Sequence, residues 1–120
     1  MKLPGPDHPI TITPEPRRVR VTLAGTVIAE TRHALRLEEA RYPPVYYVPR
    51  SDIRSENFAP SAHSSHCPYK GDARYFHLVV DGTHRPDAVW SYEAPYPAVA
   101  QIRDHVAFYP DRVDSIAVTD

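Results

Sequence analysis

From Arg18 to Leu23, apolar and polar residues alternate one by one, with Val19, Val21 and Leu23 set against Arg18, Arg20 and Thr22. A period of two marks a strand with one face in a core and the other in water. Ala24-Gly25 then permits a tight reversal into a second strand, Thr26 to Thr31. Leu35 and Leu37 alternate with Arg36 and Glu38, which predicts a third strand. Val45 to Val48, bracketed by Pro43, Pro44 and Pro49, reads as a short buried or edge strand. Between Arg50 and Gly71 the periodicity vanishes among Ser, Pro, His and Asn, so this stretch is predicted to be a long loop. Long ordered loops in small domains tend to be functional.

The pattern resumes at Ala73 to Val80, where Asp81-Gly82 is a type I′ hairpin signal and a return strand is predicted from Thr83 to Tyr92. A two-residue turn sets Trp90 opposite Ala73 and Tyr92 opposite Gly71. Tyr75, Trp90 and Tyr92 then share one face and converge on the turn from Cys67 to Gly71. Pro86 marks a bulge or edge that would shift this register by one. Pro97 opens one or two helical turns over Ala98 to Arg103, and Val106 to Tyr109 and Val113 to Val118 read as the last strands. About eight short strands and one short helix predict a mostly β chain, a single compact antiparallel β-sheet domain.

Composition changes this picture mainly through proline. The chain has 120 residues and 14 prolines, more than twice the usual proportion of about 5 %. Four of them fall at positions 4, 6, 9 and 14, so residues 1–16 are expected to form an extended Pro-rich arm and residues 17–120 the β-rich domain. A formal net charge of -1 argues against a nucleic-acid binder that works through a basic face. Apolar runs of Val45–Val48 length are far short of the ~20 residues of a membrane-spanning helix, so no membrane partner is expected. Met1-Lys2-Leu3-Pro4 leads into no apolar h-region, and Cys67 has no second cysteine to pair with. A cytoplasmic location is therefore expected.

The densest reactive run is His63-Ser64-Ser65-His66-Cys67-Pro68-Tyr69-Lys70-Gly71. As a metal site it offers His63, His66 and Cys67, with His77 or His84 as a fourth ligand. It lacks the paired C-x-x-C or C-x-x-H knuckles of structural zinc, so no metal is expected. As a nucleophile, Cys67 has His66 and Lys70 near it, although Pro68 removes the amide that a hydrolase elbow uses after its nucleophile. The third reading is a binding turn. Lys70 supplies a point charge, Gly71 close backbone approach, and Tyr75, Trp90 and Tyr92 an aromatic wall, with Tyr47 and Arg50 added from the preceding strand. Glu38 and Arg50 are a further candidate ion pair. The bland alternative for the aromatics is core and cross-strand packing.

Five strings carry a likeness to a known family. They are Arg20-Val21-Thr22-Leu23-Ala24-Gly25, Tyr42-Pro43-Pro44-Val45-Tyr46-Tyr47-Val48-Pro49-Arg50, Cys67-Pro68-Tyr69-Lys70-Gly71-Asp72-Ala73, Trp90-Ser91-Tyr92-Glu93-Ala94-Pro95 and Ala107-Phe108-Tyr109. From about Arg17 to Asp114 the chain resembles the family named domain of unknown function 427, which carries a nucleotidyltransferase-like label. The resemblance implies a compact single β-rich domain, with a likeness to β-tent folds whose zinc-binding members use paired cysteines that this chain lacks. It implies no particular activity, and any cofactor stays unknown. Nucleotidyl transfer needs clustered carboxylates to hold Mg²⁺. Here there is no Gly-Ser and no Asp-x-Asp, and Asp111 and Asp114 are a poor substitute.

Three functions follow as expectations: a domain that binds a small planar or phosphorylated molecule, a non-enzymatic interaction module whose arm docks a partner or a second copy as a homodimer, and a cysteine-dependent enzyme. The first requires a concave aromatic pocket with Lys70 reaching into it.

Overall fold

The computed structural model describes residues 1–120. Ten strands make up the fold: β1 (Ile10–Glu15), β2 (Arg18–Leu23), β3 (Thr26–Thr31), β4 (Ala34–Glu39), β5 (Val45–Pro49), β6 (Phe58–Cys67), β7 (Gly71–Val80), β8 (Thr83–Ser91), β9 (His105–Phe108) and β10 (Ser115–Thr119). Seven form one antiparallel sheet in the order β1-β4-β5-β9-β8-β7-β6, and β10-β2-β3 form a second. The fold is thus mostly β. No helix is long and apolar enough to cross a membrane.

Alternation along each strand divides the core between the two faces of the large sheet. Val19, Val21 and Leu23 of β2 pack with Val48, Leu78, Val80, Val106 and Phe108, closing the small sheet onto one face. The opposite face buries Leu37, Tyr47, Ala73, Tyr75, Tyr92 and Ala107. Val99 and Ile102, both fully buried, cap that second cluster from the 3-10 segment Pro97–Ile102. Pro97 begins this segment as predicted, and non-helical backbone at Val99 divides it.

The stretch predicted as a loop before Gly71 instead contains β6, a ten-residue strand paired with β7. It lies at the edge of the sheet and most of its residues are exposed. A strand wet on both sides has no apolar alternation to show, which is why its sequence resembles a loop. At the other edge, the segment expected to be an arm supplies β1, paired with β4 from Ile10–Glu39 to Glu15–Ala34. Pro14 is tolerated there because an edge strand leaves one side of its backbone unpaired.

The Asp81-Gly82 turn forms as predicted, with positive φ at both residues and Val80 opposite Thr83. Beyond Leu78–Arg85 the register changes, because His77 alone faces Pro86, Asp87 and Ala88. Trp90 therefore lies opposite Tyr75 rather than Ala73, a slip of two residues rather than one. An even slip keeps every side chain on its original face, so Tyr75, Trp90 and Tyr92 still share one. Asp87 takes a positive φ in the bulge, and its amide donates to His77 Nδ1 at 3.1 Å.

Gly71 ends the β6–β7 turn with φ of +110°, and a Cβ there would stand 3.4 Å from the Ala94 carbonyl oxygen. The same turn holds Lys70, whose carbonyl accepts from Tyr96 N at 3.0 Å. Gly71→Ala forces a side chain into a backbone conformation that residues other than glycine disfavour, while the space for its Cβ is ordinary. It should lower unfolding free energy by about 1–3 kcal/mol in denaturant titration, and an unchanged midpoint would refute the turn geometry.

Candidate functional site

Strands β5 and β9 pair at only two places, Val48–Val106 and Pro49–His105. From there towards Val45 on one strand and Tyr109 on the other they do not pair with each other again, and a cavity of about 410 Å³ lies between them. The opening passes through the large sheet. On one side the cavity meets Val19, Val21 and Ile116 of the small sheet, and on the other Leu37, Tyr75, Trp90 and Tyr92. Exposed Tyr42, Pro43, Pro44 and Pro110 frame its mouth. Fourteen of its 19 lining residues are hydrophobic, so an occupant gains mainly by leaving water.

Trp90 reaches across the parting. Its partner on β9 is Ala107, whose small side chain lets the indole pass over β9 to Tyr47 on β5. Trp90 Nε1 donates to Tyr47 Oη at 3.2 Å, and the rings meet edge to face at 6.4 Å. Tyr109 lies 4.5 Å from the indole and parallel to Tyr75 at 6.5 Å, with the Arg112 guanidinium 4.6 Å over its ring. Tyr75 Oη shares a 2.8 Å hydrogen bond with Ser65 Oγ. Indole N–H can only donate, so Tyr47 Oη accepts and keeps its own proton for another acceptor. The Tyr92 hydroxyl has no partner within the chain.

Burial holds the phenols in their neutral form. It pushes Tyr47 and Tyr92 far above the usual tyrosine value, with the Trp90 hydrogen bond only partly opposing it at Tyr47. Tyr109 rises to about 12, through burial and its hydrogen bond to Tyr75. Tyr47, Tyr92 and Tyr109 are therefore uncharged at any physiological pH.

The polar end is built from Glu39 and Lys70. Glu39 continues the inward series Leu35, Leu37 on β4, and one of its oxygens takes the Lys70 ammonium. The other oxygen lies 2.7 Å from His8 Nε2. Burial raises the Glu39 pKa, but the hydrogen bonds and charges of Lys70 and His8 outweigh it and leave the carboxyl below its ordinary value. His8 in turn lies flat on Tyr69 at 4.0 Å, and Lys2 N donates to the Pro68 carbonyl at 2.7 Å. The chain's first residues thus back the Lys70 turn.

Of the residues singled out from the sequence, Tyr47, Lys70, Tyr75, Trp90 and Tyr92 all line the cavity. Arg50 and Cys67 do not. Arg50 follows β5 in a 3-10 turn, bonds Ser91 Oγ and Glu93 at 3.2 Å each, and lies over Phe76. Ser91 and Phe76 project from the face opposite Trp90, so alternation carries Arg50 away from the site. Glu38 pairs with Arg36 at 3.1 Å, not with Arg50. Half-buried Cys67 packs against the aromatic cluster. Its neighbour His66 bonds Asp72 at 2.7 Å, so adjacency in the chain brings no base to the thiol.

Sequence reasoning passed over Glu39 and Tyr109. Both were accessible to it, since two steps beyond Leu37 and Ala107 on a strand return to the same face. No three His, Cys, Asp or Glu side chains are placed to hold a metal ion. Asp114 accepts from the Ala24 amide at 2.8 Å and so closes the β2–β3 turn.

The Glu39 carboxyl makes stability depend on acid. Its pKa lies lower in the folded than in the unfolded chain, so its contribution is complete above the ordinary value of 4.5 and is lost as pH falls through the folded value. Melting temperature followed through this range should fall less steeply for Glu39→Gln than for the natural chain. Parallel curves would show that Lys70 and His8 do not hold this carboxylate.

No curated protein matches the chain. Residues 11–119 match the family described as Domain of unknown function (DUF427), a span that takes in β2 to β10 and all of β1 but Ile10. The chain belongs to the DUF427 family.

Proposed function

We propose that the chain is a small-molecule-binding β domain whose ligand, a small planar or phosphorylated molecule, enters the parting between β5 and β9. One observation carries this reading: a cavity of about 410 Å³ lies where two central strands fail to pair, and its walls are aromatic. That volume falls within the usual range of ligand sites, about 300–1,000 Å³. Strands that part inside a sheet give up ladder hydrogen bonds, and an occupant that stacks on Trp90 and Tyr75 offsets that loss. The reading assigns no reaction. It includes a cytoplasmic setting, which suits a chain whose single cysteine cannot form an intrachain disulfide.

Trp90 is the only tryptophan, so the site carries its own reporter. A panel of planar aromatic compounds and phosphorylated metabolites, screened by thermal shift, should yield compounds that raise the melting temperature. The same compounds should quench or shift Trp90 emission, and Trp90→Leu should weaken them about tenfold or more by calorimetry. Stabilising compounds that leave Trp90 emission unchanged would place binding elsewhere and defeat the proposal.

A further inference from the structure

Glu39 and Lys70 are the only charged side chains that line the cavity, and they are bonded to each other. Their charges cancel. Both Glu39 oxygens already have partners, one in Lys70 and one in His8. The hydrogen atoms at this end are less fully used. Lys70 has three N–H groups, of which Glu39 takes one, and the Tyr47 and Tyr92 hydroxyls each keep a proton to donate. The two charges that face the cavity thus cancel, and this end is rich in donors.

From this we infer that the ligand is an uncharged planar molecule bearing a carbonyl-type acceptor, such as a ring ketone, lactam or carboxamide, and that Glu39 sets this preference. The inference rests on the pocket reading above. A carbonyl oxygen answers the free donors and adds no charge. A carboxylate or phosphate would bring a negative charge into a cavity whose one cation is already matched, and would give up its hydration without a counter-ion. Lys70 therefore serves as a hydrogen-bond donor, and Glu39 keeps its charge from capturing an anion. Removing the Glu39 charge while keeping its shape should free that charge. Glu39 does not react with the ligand in this scheme. It is a specificity-determining residue that acts through Lys70.

A matched pair of probes tests this. Naphthalene carboxamide and naphthalene carboxylate share one ring system and differ in charge. Each is titrated at neutral pH into the full chain and into Glu39→Gln, with heat and Trp90 emission as readouts. The natural chain should prefer the carboxamide by about tenfold or more, and Glu39→Gln should tighten the carboxylate by about tenfold or more. Equal binding, or a preference for the carboxylate in the natural chain, overturns the inference and leaves the pocket reading standing. A carboxamide preference that Glu39→Gln leaves unchanged also overturns it, because Glu39 then does not set the charge. Binding of neither probe overturns the inference together with the pocket reading. If Glu39→Gln does not fold, the ratio measured on the natural chain decides alone.

Discussion

The arrangement depends on a short ladder. Two residue pairs, Val48–Val106 and Pro49–His105, are all that join β5 to β9 in the middle of a seven-stranded sheet. Were the ladder to continue, Tyr47 would face Ala107 and the cavity would close. Instead the Trp90 indole crosses β9 and bonds Tyr47, while β9 keeps its pairing with β8 as far as the Tyr109 amide, which donates to the Ala88 carbonyl at 3.0 Å. Side chains thus span a gap that backbone hydrogen bonds do not. Aromatic rings suit that role because they carry large apolar area and a polar tip on few rotatable bonds.

The two ends of the cavity rest on different physics. The aromatic end is held by packing from both core clusters, since its linings come from the small sheet and from both faces of the large one. The polar end depends on a relay of contacts from Tyr69 through His8 and Glu39 to Lys70. Every group in that relay but Glu39 comes from the chain's first residues or from the β6–β7 turn. The positions of charge in the cavity therefore depend on how the Pro-rich beginning of the chain lies against that turn.

The sequence made the fold class legible wherever one face of a strand is buried and the other is wet. Strands β2 and β4 declare themselves in this way, β3 and β8 follow from the Ala24-Gly25 and Asp81-Gly82 turns before them, and the shared face of Tyr75, Trp90 and Tyr92 followed from parity alone. That conclusion survived a wrong register because the bulge at Pro86 and Asp87 adds residues in a pair. Edge strand β6 was invisible because neither of its faces is dry. Arg50 was misplaced because nearness in sequence to Tyr47 says nothing about which face a residue takes once β5 ends in a 3-10 turn. The parting of β5 from β9 is a long-range property. No local pattern encodes which two strands will fail to pair.

The central claim is that a ligand sits in the parting, in contact with both sheets. The most direct measurement is a heteronuclear NMR titration of the full chain with a compound that stabilises it. The lone indole N–H of Trp90 gives one unambiguous signal, and the methyls of Val19, Val21 and Ile116 report from the small sheet. The account predicts that the indole signal and those methyls shift together at one affinity. Shifts that leave the indole and these methyls unmoved would contradict it.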